Sequence, residues 1–245
     1  MTHADRCPVV VIKLGGSVLT SLASYTRAAE FLAGELRAKP GSRIVAVVSA
    51  ELGHTDLLAQ EAQVLDPTPD ASMLDLLWST GEIRSVALLT LALGRAQIAA
   101  AGLNAHQAGL RALGDDGRVE FHLLPLRAAL AHHEVVVVPG FLATVRQALV
   151  TLGRGGSDLS AVLLARALGA AECVLVKDVD GYFTADPATD ATATRIGRLT
   201  YSEAISKALE GCPLVQRQAL DEGRRGGFPL VVRSVTGTGT LVTTS

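Results

Sequence analysis

Residues 9–17 read V-V-V-I-K-L-G-G-S, and this short segment sets the expectation for the fold. Four β-branched residues in a row predict a strand that is buried on both faces. Gly15 and Gly16 stop the strand and leave backbone N–H groups open to close approach by an anion. A buried strand that ends in a glycine turn is what the first unit of an α/β protein requires.

The same alternation continues along the chain. Strand-like apolar runs recur at residues 44–48, 135–138, 173–176 and 230–232, and residues 98–101 lead into Gly102. Helical spacing is found between them, at residues 24–38, 74–93, 124–131, 158–168 and 201–210. Repeated strand–helix units predict a largely parallel central sheet with helices on both faces, a three-layer α/β/α sandwich. We expect residues 1–245 to form a single domain.

Composition narrows the class of protein. Of 245 residues, 49% are hydrophobic and only 4% aromatic, so the core should consist of Ala, Val and Leu. The net charge of −2 makes nucleic acid an unexpected partner. The three cysteines have no metal-site or disulfide spacing, which favours reduced thiols and a cytoplasmic protein. No apolar run approaches the ~20 residues of a membrane span, so no membrane association is expected.

Ligands of open parallel sheets bind beyond the carboxyl ends of the strands, and polar segments follow several predicted strands. Lys13 supplies a point charge beside two glycines. The same pattern is also typical of a tight turn that carries a surface lysine. Residues 49–56, S-A-E-L-G-H-T-D, precede a helix that Thr55 or Asp56 could cap. Glu82, next to a glycine in an apolar segment, could receive a substrate ammonium or be an ordinary surface residue.

Residues 151–158, T-L-G-R-G-G-S-D, form the most glycine-rich candidate loop. Ser157 or Asp158 is placed to cap the following helix, whose positive end favours an anion. Arg154 could clamp a carboxylate or a phosphate through two parallel hydrogen bonds. A flexible capped turn with an exposed arginine is the alternative.

A further candidate segment, residues 177–182, reads K-D-V-D-G-Y. Its aspartates could hold a metal or a ribose and Tyr182 could cover a base, while an Asx turn is the simpler alternative. The pair His132-His133 is expected in an exposed loop, so no residue is assigned as a metal ligand. Trp78 is expected in the core.

Taken together, these segments resemble the amino acid kinase family and, within it, the catalytic domain of aspartokinases. The resemblance runs in order along nearly the whole chain. It is carried by K-L-G-G-S at 13–17, V-S-A…T-D at 48–56, S-T-G-E-I-R-S at 79–85, P-G-F at 139–141, T-L-G-R-G-G-S-D at 151–158, D-V-D-G-Y-F-T-A-D-P at 178–187 and G-T-L-V at 239–242.

The resemblance implies phosphoryl transfer from ATP, with Mg²⁺, to the β-carboxylate of L-aspartate. It further implies a homodimer, and a substrate-binding half at about 1–145 followed by a nucleotide-binding half at about 146–245. Lys13 would stabilise charge on the transferring group, Glu82 would hold the substrate ammonium and Arg154 its α-carboxylate. The residues carried over are Lys13 and Asp158 for catalysis; Ser49, Thr55, Glu82, Arg154 and Ser157 for the amino acid; and Gly15, Gly16, Ser17, Lys177, Asp178, Tyr182 and Asp186 for the nucleotide.

Several departures from the family pattern leave other functions open. The first loop is one residue shorter than is usual in aspartokinases, and Glu51 adds a carboxylate near the expected substrate. Pro213 stands where a phosphate-contacting lysine is expected, and Lys177 where threonine is usual. Our hypothesis is that Lys177 restores the missing charge.

Two alternatives follow from these departures. The acceptor could be another small carboxylate, a carbamate or a phosphate, or the chain could be a catalytically weak nucleotide-binding subunit with a regulatory or storage role. The sequence ends at Ser245 without the ACT regulatory domains that aspartokinases usually append. We therefore expect no inhibition in cis by lysine or threonine.

Overall fold

The computed structural model describes residues 7–113, 118–145, 148–151, 156–209 and 214–245. Strands and helices alternate through most of them, as the sequence predicts. In chain order the elements are β1 (Val9–Leu14), α1 (Leu22–Ala38), β2 (Arg43–Val48), α2 (His54–Leu65), α3 (Ala71–Arg95), β3 (Ala100–Gly102), β4 (Leu110–Leu113), β5 (Arg118–Phe121), α4 (Leu124–His132), β6 (Val135–Pro139), β7 (Leu142–Val145), β8 (Ala148–Thr151), α5 (Gly156–Leu168), β9 (Glu172–Val176), β10 (Arg198–Thr200), α6 (Tyr201–Leu209), α7 (Arg217–Gly226), β11 (Leu230–Arg233) and β12 (Thr240–Thr243).

An eight-stranded sheet, in the order β10-β12-β11-β9-β1-β2-β6-β3, forms the centre. Its pairings are parallel except for β11 with β12. β1 lies in the middle, where Val11 pairs with Val45 of β2 on one side and Cys173 of β9 on the other. The first strand therefore joins the early and late parts of the chain.

Helices cover both faces of this sheet, and the largely parallel three-layer arrangement is confirmed. Val10 and Ile12 face α1 and α3, in a core cluster that includes Leu32 and Leu89. Val11 faces the opposite side, in a cluster with residues of α4, α5, α6 and α7. Alternate residues of one strand thus serve two cores, which explains the continuous β-branched run.

Some elements differ from the sequence-based expectation. A second, four-stranded sheet in the order β5-β4-β7-β8 was not predicted, and neither was α7. Each strand of the second sheet has only four residues, too few for a clear periodicity. The histidine pair does not lie in a loop, because His132 ends α4 and His133 is its C-cap.

The predicted helix caps are also wrong. α2 begins at His54, one residue before Thr55, and its N-cap is Gly53 with a φ of 76°. α5 begins at Gly156, which places Ser157 and Asp158 inside its first turn. Gly53 directly precedes α2 and Gly156 is the first residue of α5. Each glycine comes before the polar residue that cap propensity favours.

Among the described helices, α3 is long and apolar enough to cross a membrane by length and composition. This is weak evidence for a span, since the core helix of a globular protein passes the same test. One face of α3 is buried, and Val86, Leu89 and Leu93 belong to the core cluster shared with α1.

Candidate active site

Two cavities open at the carboxyl ends of the central strands and share Gly16 as a lining residue. The first, the β9 cavity, encloses about 590 Å³ and is lined by the loop after β1 and the segment after β9. The second, the α3 cavity, encloses about 470 Å³ and is lined by residues 49–56, by α3 and by the start of α5. Gly16 thus marks the seam between them.

The predicted site residues divide between the cavities. Those assigned to the nucleotide line the β9 cavity, together with Lys13: Gly15, Gly16, Ser17, Lys177, Asp178, Tyr182 and Asp186. Those assigned to the amino acid line the α3 cavity: Ser49, Thr55, Glu82 and Ser157. Arg154 and Pro213 lie outside the described residues.

A buried carboxylate links two lysines beside the β9 cavity. Asp158 Oδ1 lies 2.8 Å from Lys13 Nζ, and its Oδ2 accepts a hydrogen bond from Lys177 Nζ at 2.5 Å. Burial alone would raise the pKa of Asp158, but the two ammonium groups outweigh it and hold that pKa below its usual value. Burial lowers the pKa of Lys177, and Lys13 adds to that effect against the attraction of Asp158. The result is a fixed pair of cations around one carboxylate.

Glu82 is buried in α3 and is not the surface residue that one interpretation allowed. It is 4% exposed, and its Oε1 accepts the N–H of Ala50 at 2.9 Å. Its Oε2 is buried and has no hydrogen-bond partner among the residues that the structure describes. Desolvation raises the pKa of Glu82 to about 8, against the opposing effects of the Ala50 hydrogen bond and Lys13. A buried oxygen that lacks a partner favours a ligand that supplies a donor or a cation.

Gly16 joins the two cavities through a close backbone approach. A Cβ atom at this position would lie 2.8 Å from the carbonyl oxygen of Ala50, closer than real Cβ contacts. The loop after β1 can therefore meet the segment after β2 only with glycine here. Leu52 N–H donates to the Leu19 carbonyl at 3.0 Å and holds the same two segments together.

The segment after β9 is anchored by its aspartates. Asp178 Oδ1 accepts the hydroxyl of Ser17 at 3.2 Å, which ties this segment to the loop after β1. Asp180 accepts the N–H of Ser234 at 3.0 Å. Asp186, outside the 177–182 segment for which an Asx turn was the alternative, accepts the N–H of Ala188 at 2.9 Å. The described residues contain no group of three or more His, Cys, Asp or Glu that could hold a metal ion.

Tyr182 is buried, whereas a ring that covers a bound base would be expected to be more accessible. It is 5% exposed, and its N–H donates to Thr240 Oγ1 at 2.8 Å. Burial raises the pKa of its hydroxyl. Its predicted role over a base remains a prediction.

Two lining residues of the α3 cavity were misjudged or only partly anticipated from the sequence. Trp78 is not a core residue, because it is half-buried and lines the cavity beside Phe141. Its position four residues before Glu82 on one helix places both on the same face, a signal that the sequence offered. Glu51 also lines the α3 cavity, and its carboxylate pairs with Arg84 Nη1 at 2.7 Å.

This fold and this pair of cavities define the class of protein. The chain belongs to the amino acid kinase family, whose model matches residues 8–234. Among characterised proteins, it is similar to an aspartokinase of Thermus thermophilus, 38% identical over 92% of this chain and 56% of the relative. It is also similar to an aspartate kinase of Pseudomonas putida, 35% identical over 96% of this chain and 58% of the relative. The chain thus spans a little over half the length of these relatives.

Solved structures give the same result. Aspartate kinase from Synechocystis matches with a TM-score of 0.86 and 34% identity, over 97% of this chain and 40% of that one. E. coli aspartokinase III in complex with aspartate and ADP matches with a TM-score of 0.81 and 25% identity, over 96% of this chain and 64% of that one. Uridylate kinase from Archaeoglobus fulgidus, at 20% identity and a TM-score of 0.69 over 96% of this chain and 99% of that one, shares the fold.

Proposed function

We propose that the chain transfers the γ-phosphoryl group of ATP to the side-chain carboxylate of L-aspartate, which yields an acyl phosphate. The observation that carries the proposal is the seam at Gly16. On one side lies the cavity with the Lys13–Asp158–Lys177 cluster, and on the other lies the cavity with Glu82. A donor and an acceptor held on the two sides would bring their reacting groups together there.

The acceptor binds in the α3 cavity, with its ammonium on Glu82. A ligand ammonium supplies the donor that Glu82 Oε2 lacks and favours the ionised carboxylate. Ser49, Thr55 and Ser157 line the same cavity and offer hydroxyl groups to the amino acid. Arg154, by its resemblance to the family motif, binds the α-carboxylate.

The nucleotide binds in the β9 cavity, with its phosphates against the glycine loop. Gly15, Gly16 and Ser17 follow β1 and can present backbone N–H groups to a phosphate. Mg²⁺ usually binds through a few carboxylates and the substrate's own phosphates, so the lack of a carboxylate cluster among the described residues fits a metal carried by ATP. Asp178 and Asp186 are exposed carboxylates that line this cavity, and Asp178, next to Lys177, could contribute to that metal. When bound, Mg²⁺ neutralises phosphate charge.

The proposed reaction needs no protein nucleophile and no general base, because the acceptor carboxylate is already ionised at neutral pH. One of its oxygens forms a bond to the γ-phosphorus while the bond from that phosphorus to the bridging β–γ oxygen breaks, and ADP leaves. Lys13 and Lys177 stabilise the charge that moves from the carboxylate to the phosphates. Asp158 positions both ammonium groups.

The contact of Glu51 with Arg84 bears on the alternative acceptors. A free carboxylate at Glu51 would oppose an acidic acceptor, but its charge is met by the guanidinium 2.7 Å away. The α3 cavity is therefore compatible with an α-amino acid that carries a second carboxylate. A catalytically weak subunit remains the competing proposal, and the cytoplasmic location and the homodimer remain predictions.

Hydroxylamine trapping tests the proposal directly. The purified chain is incubated with ATP, Mg²⁺ and a panel of amino acids and small carboxylic acids, and hydroxamate formation is measured. We expect hydroxamate with L-aspartate and none without ATP. Turnover of a different acid would reassign the acceptor, and nucleotide binding without any turnover would favour the weak subunit.

A further inference from the structure

The α3 cavity has an aromatic wall that the proposed transfer does not use. Trp78 and Phe141 both line it, with ring centroids 6.4 Å apart and ring planes inclined by 52°. This separation and tilt are within the range that aromatic pairs prefer. Trp78 lies one turn of α3 before Glu82, so a single helix carries both the wall and the carboxylate proposed to hold the ammonium.

Phe141 is held in place by its backbone. Its φ of 64° lies in the left-handed region that non-glycine residues rarely adopt. Its N–H donates to Ser160 Oγ at 3.0 Å, and that hydroxyl donates to the carbonyl of Gly156 at 2.7 Å. Such a strained conformation persists only where its surroundings fix it. The wall is therefore rigid on the Phe141 side.

The wall forms one boundary of the space that is open to an acceptor. Gly16 lines both cavities, whereas Trp78 and Phe141 line only the α3 cavity. An acceptor whose reacting carboxylate reaches the seam has its other atoms within the α3 cavity, which the wall bounds. Trp78 is the bulkiest side chain there, and its buried Nε1 has no hydrogen-bond partner among the described residues.

We propose that Trp78 is a specificity-determining residue that restricts the acceptor to the chain length of aspartate and excludes glutamate, which is one methylene longer. This inference rests on the proposed function. A rigid apolar wall discriminates against one additional methylene by about 10–200-fold. A smaller side chain at position 78 would enlarge the cavity and weaken that discrimination.

Trp78 is the single tryptophan of the chain, so its fluorescence reports binding without turnover. The experiment compares the unmodified chain with W78L, which removes the ring, and W78F, which keeps an aromatic ring. kcat/KM is measured by hydroxamate formation with aspartate and with glutamate, and aspartate is titrated against the emission of the unmodified chain. L91A, at a position 71% exposed on the same helix, is the matched control, and thermal unfolding checks every variant.

We expect aspartate to shift the emission of Trp78, and W78L to reduce the preference for aspartate over glutamate by about tenfold or more. W78F and L91A should retain most of the preference. If the unmodified chain turns over aspartate but W78L leaves the preference unchanged, the inference is wrong and the proposed function stands. If aspartate produces neither hydroxamate nor an emission change, the inference about Trp78 and the proposed function are both wrong.

Discussion

At the residue scale, Asp158 is the group on which the site depends, because its carboxylate pairs with both Lys13 and Lys177. Lys13 comes from β1 and Lys177 from the residue after β9, and neighbouring parallel strands bring them to the same edge of the sheet. Two buried ammonium groups this close would repel without the carboxylate between them. Lys177 lines the β9 cavity, and the hypothesis that it supplies a missing cation stays a prediction.

Lys177→Met tests that hypothesis. Loss of one preorganised cation should reduce kcat by about 10²-fold or more and raise the KM for ATP, with little change in the KM for the amino acid. Lys177→Arg keeps the charge and should recover part of the activity. Steady-state kinetics with each substrate varied in turn gives the answer, and unchanged ATP parameters in Lys177→Met would eliminate the hypothesis.

Glu82 should make the stability of the chain depend on pH. Its folded-state pKa is raised from 4.5 to about 8, so the folded chain binds more protons than the unfolded chain between these values. Stability should therefore fall as pH rises through this window, because burying the ionised carboxylate is unfavourable.

Glu82→Gln removes the charge but keeps an acceptor for the N–H of Ala50. We expect a smaller drop in Tm between about pH 5 and pH 8 than in the unmodified chain, and a higher KM for the amino acid. Glu30→Gln, at an exposed position of α1, is the control and should leave the pH profile unchanged. Equal pH profiles for all three chains would contradict this account.

At the scale of elements, the segment after β9 is fixed by the strands beside it. Gly181 has a φ of 91°, and a Cβ atom there would lie 2.4 Å from Thr240 Oγ1 and 2.9 Å from the Val232 carbonyl oxygen. Thr240 belongs to β12 and Val232 to β11. These two strands, on one side of β9 in the sheet order, therefore restrict the backbone of the segment that lines the β9 cavity.

Gly181→Ala should destabilise the fold by at least about 1 kcal/mol, the cost of a left-handed residue with a Cβ, and should raise the KM for ATP. Gly197→Ala is the matched control, since its φ is not positive and a Cβ there would meet no atom within 4 Å. Urea unfolding and ATP kinetics on both variants distinguish the two positions. Equal effects would show that the close packing around Gly181 does not matter.

At the scale of the whole molecule, the central sheet joins the two halves that the sequence suggested, because β1 of the first half pairs with β9 of the second. β1 pairs with β2 from the first half and with β9 from the second, and α5 packs on the core beside Val11 and Val45. A break near residue 145 would expose an edge of β1 and one face of the sheet. Each cavity is lined by residues of both halves, and the halves share a core.

We therefore expect the chain to unfold in one cooperative step, and a fragment of residues 1–145 not to fold alone. Calorimetry and near-UV circular dichroism of the full chain and the fragment provide the test. A fragment with a cooperative transition near the Tm of the full chain would show that the halves are independent. Co-expression of residues 146–245 checks whether the missing partner restores folding.

Sequence alone determined five strands of the central sheet, namely β1, β2, β6, β9 and β11, but not β10 or β12. It also determined most of the segments that line the cavities. Buried parallel strands are continuous β-branched runs, and ligands bind where such strands end, so both can be recognised locally. The short strands of the second sheet were not recognised because four residues carry little periodicity, and the cap of α2 was not recognised because Gly53 stands where a polar residue was expected.

Only the tertiary structure decided which of these residues act together. Lys13 and Asp158 are far apart in the chain, and their contact exists because β1 and β9 are neighbours with α5 packed beside them. Partner choice likewise depends on packing, since Arg84 meets Glu51 while Glu82 is left with an oxygen that lacks a partner among the described residues. Local patterns record burial and turns, whereas charge pairing and desolvation depend on distances that only the folded chain sets.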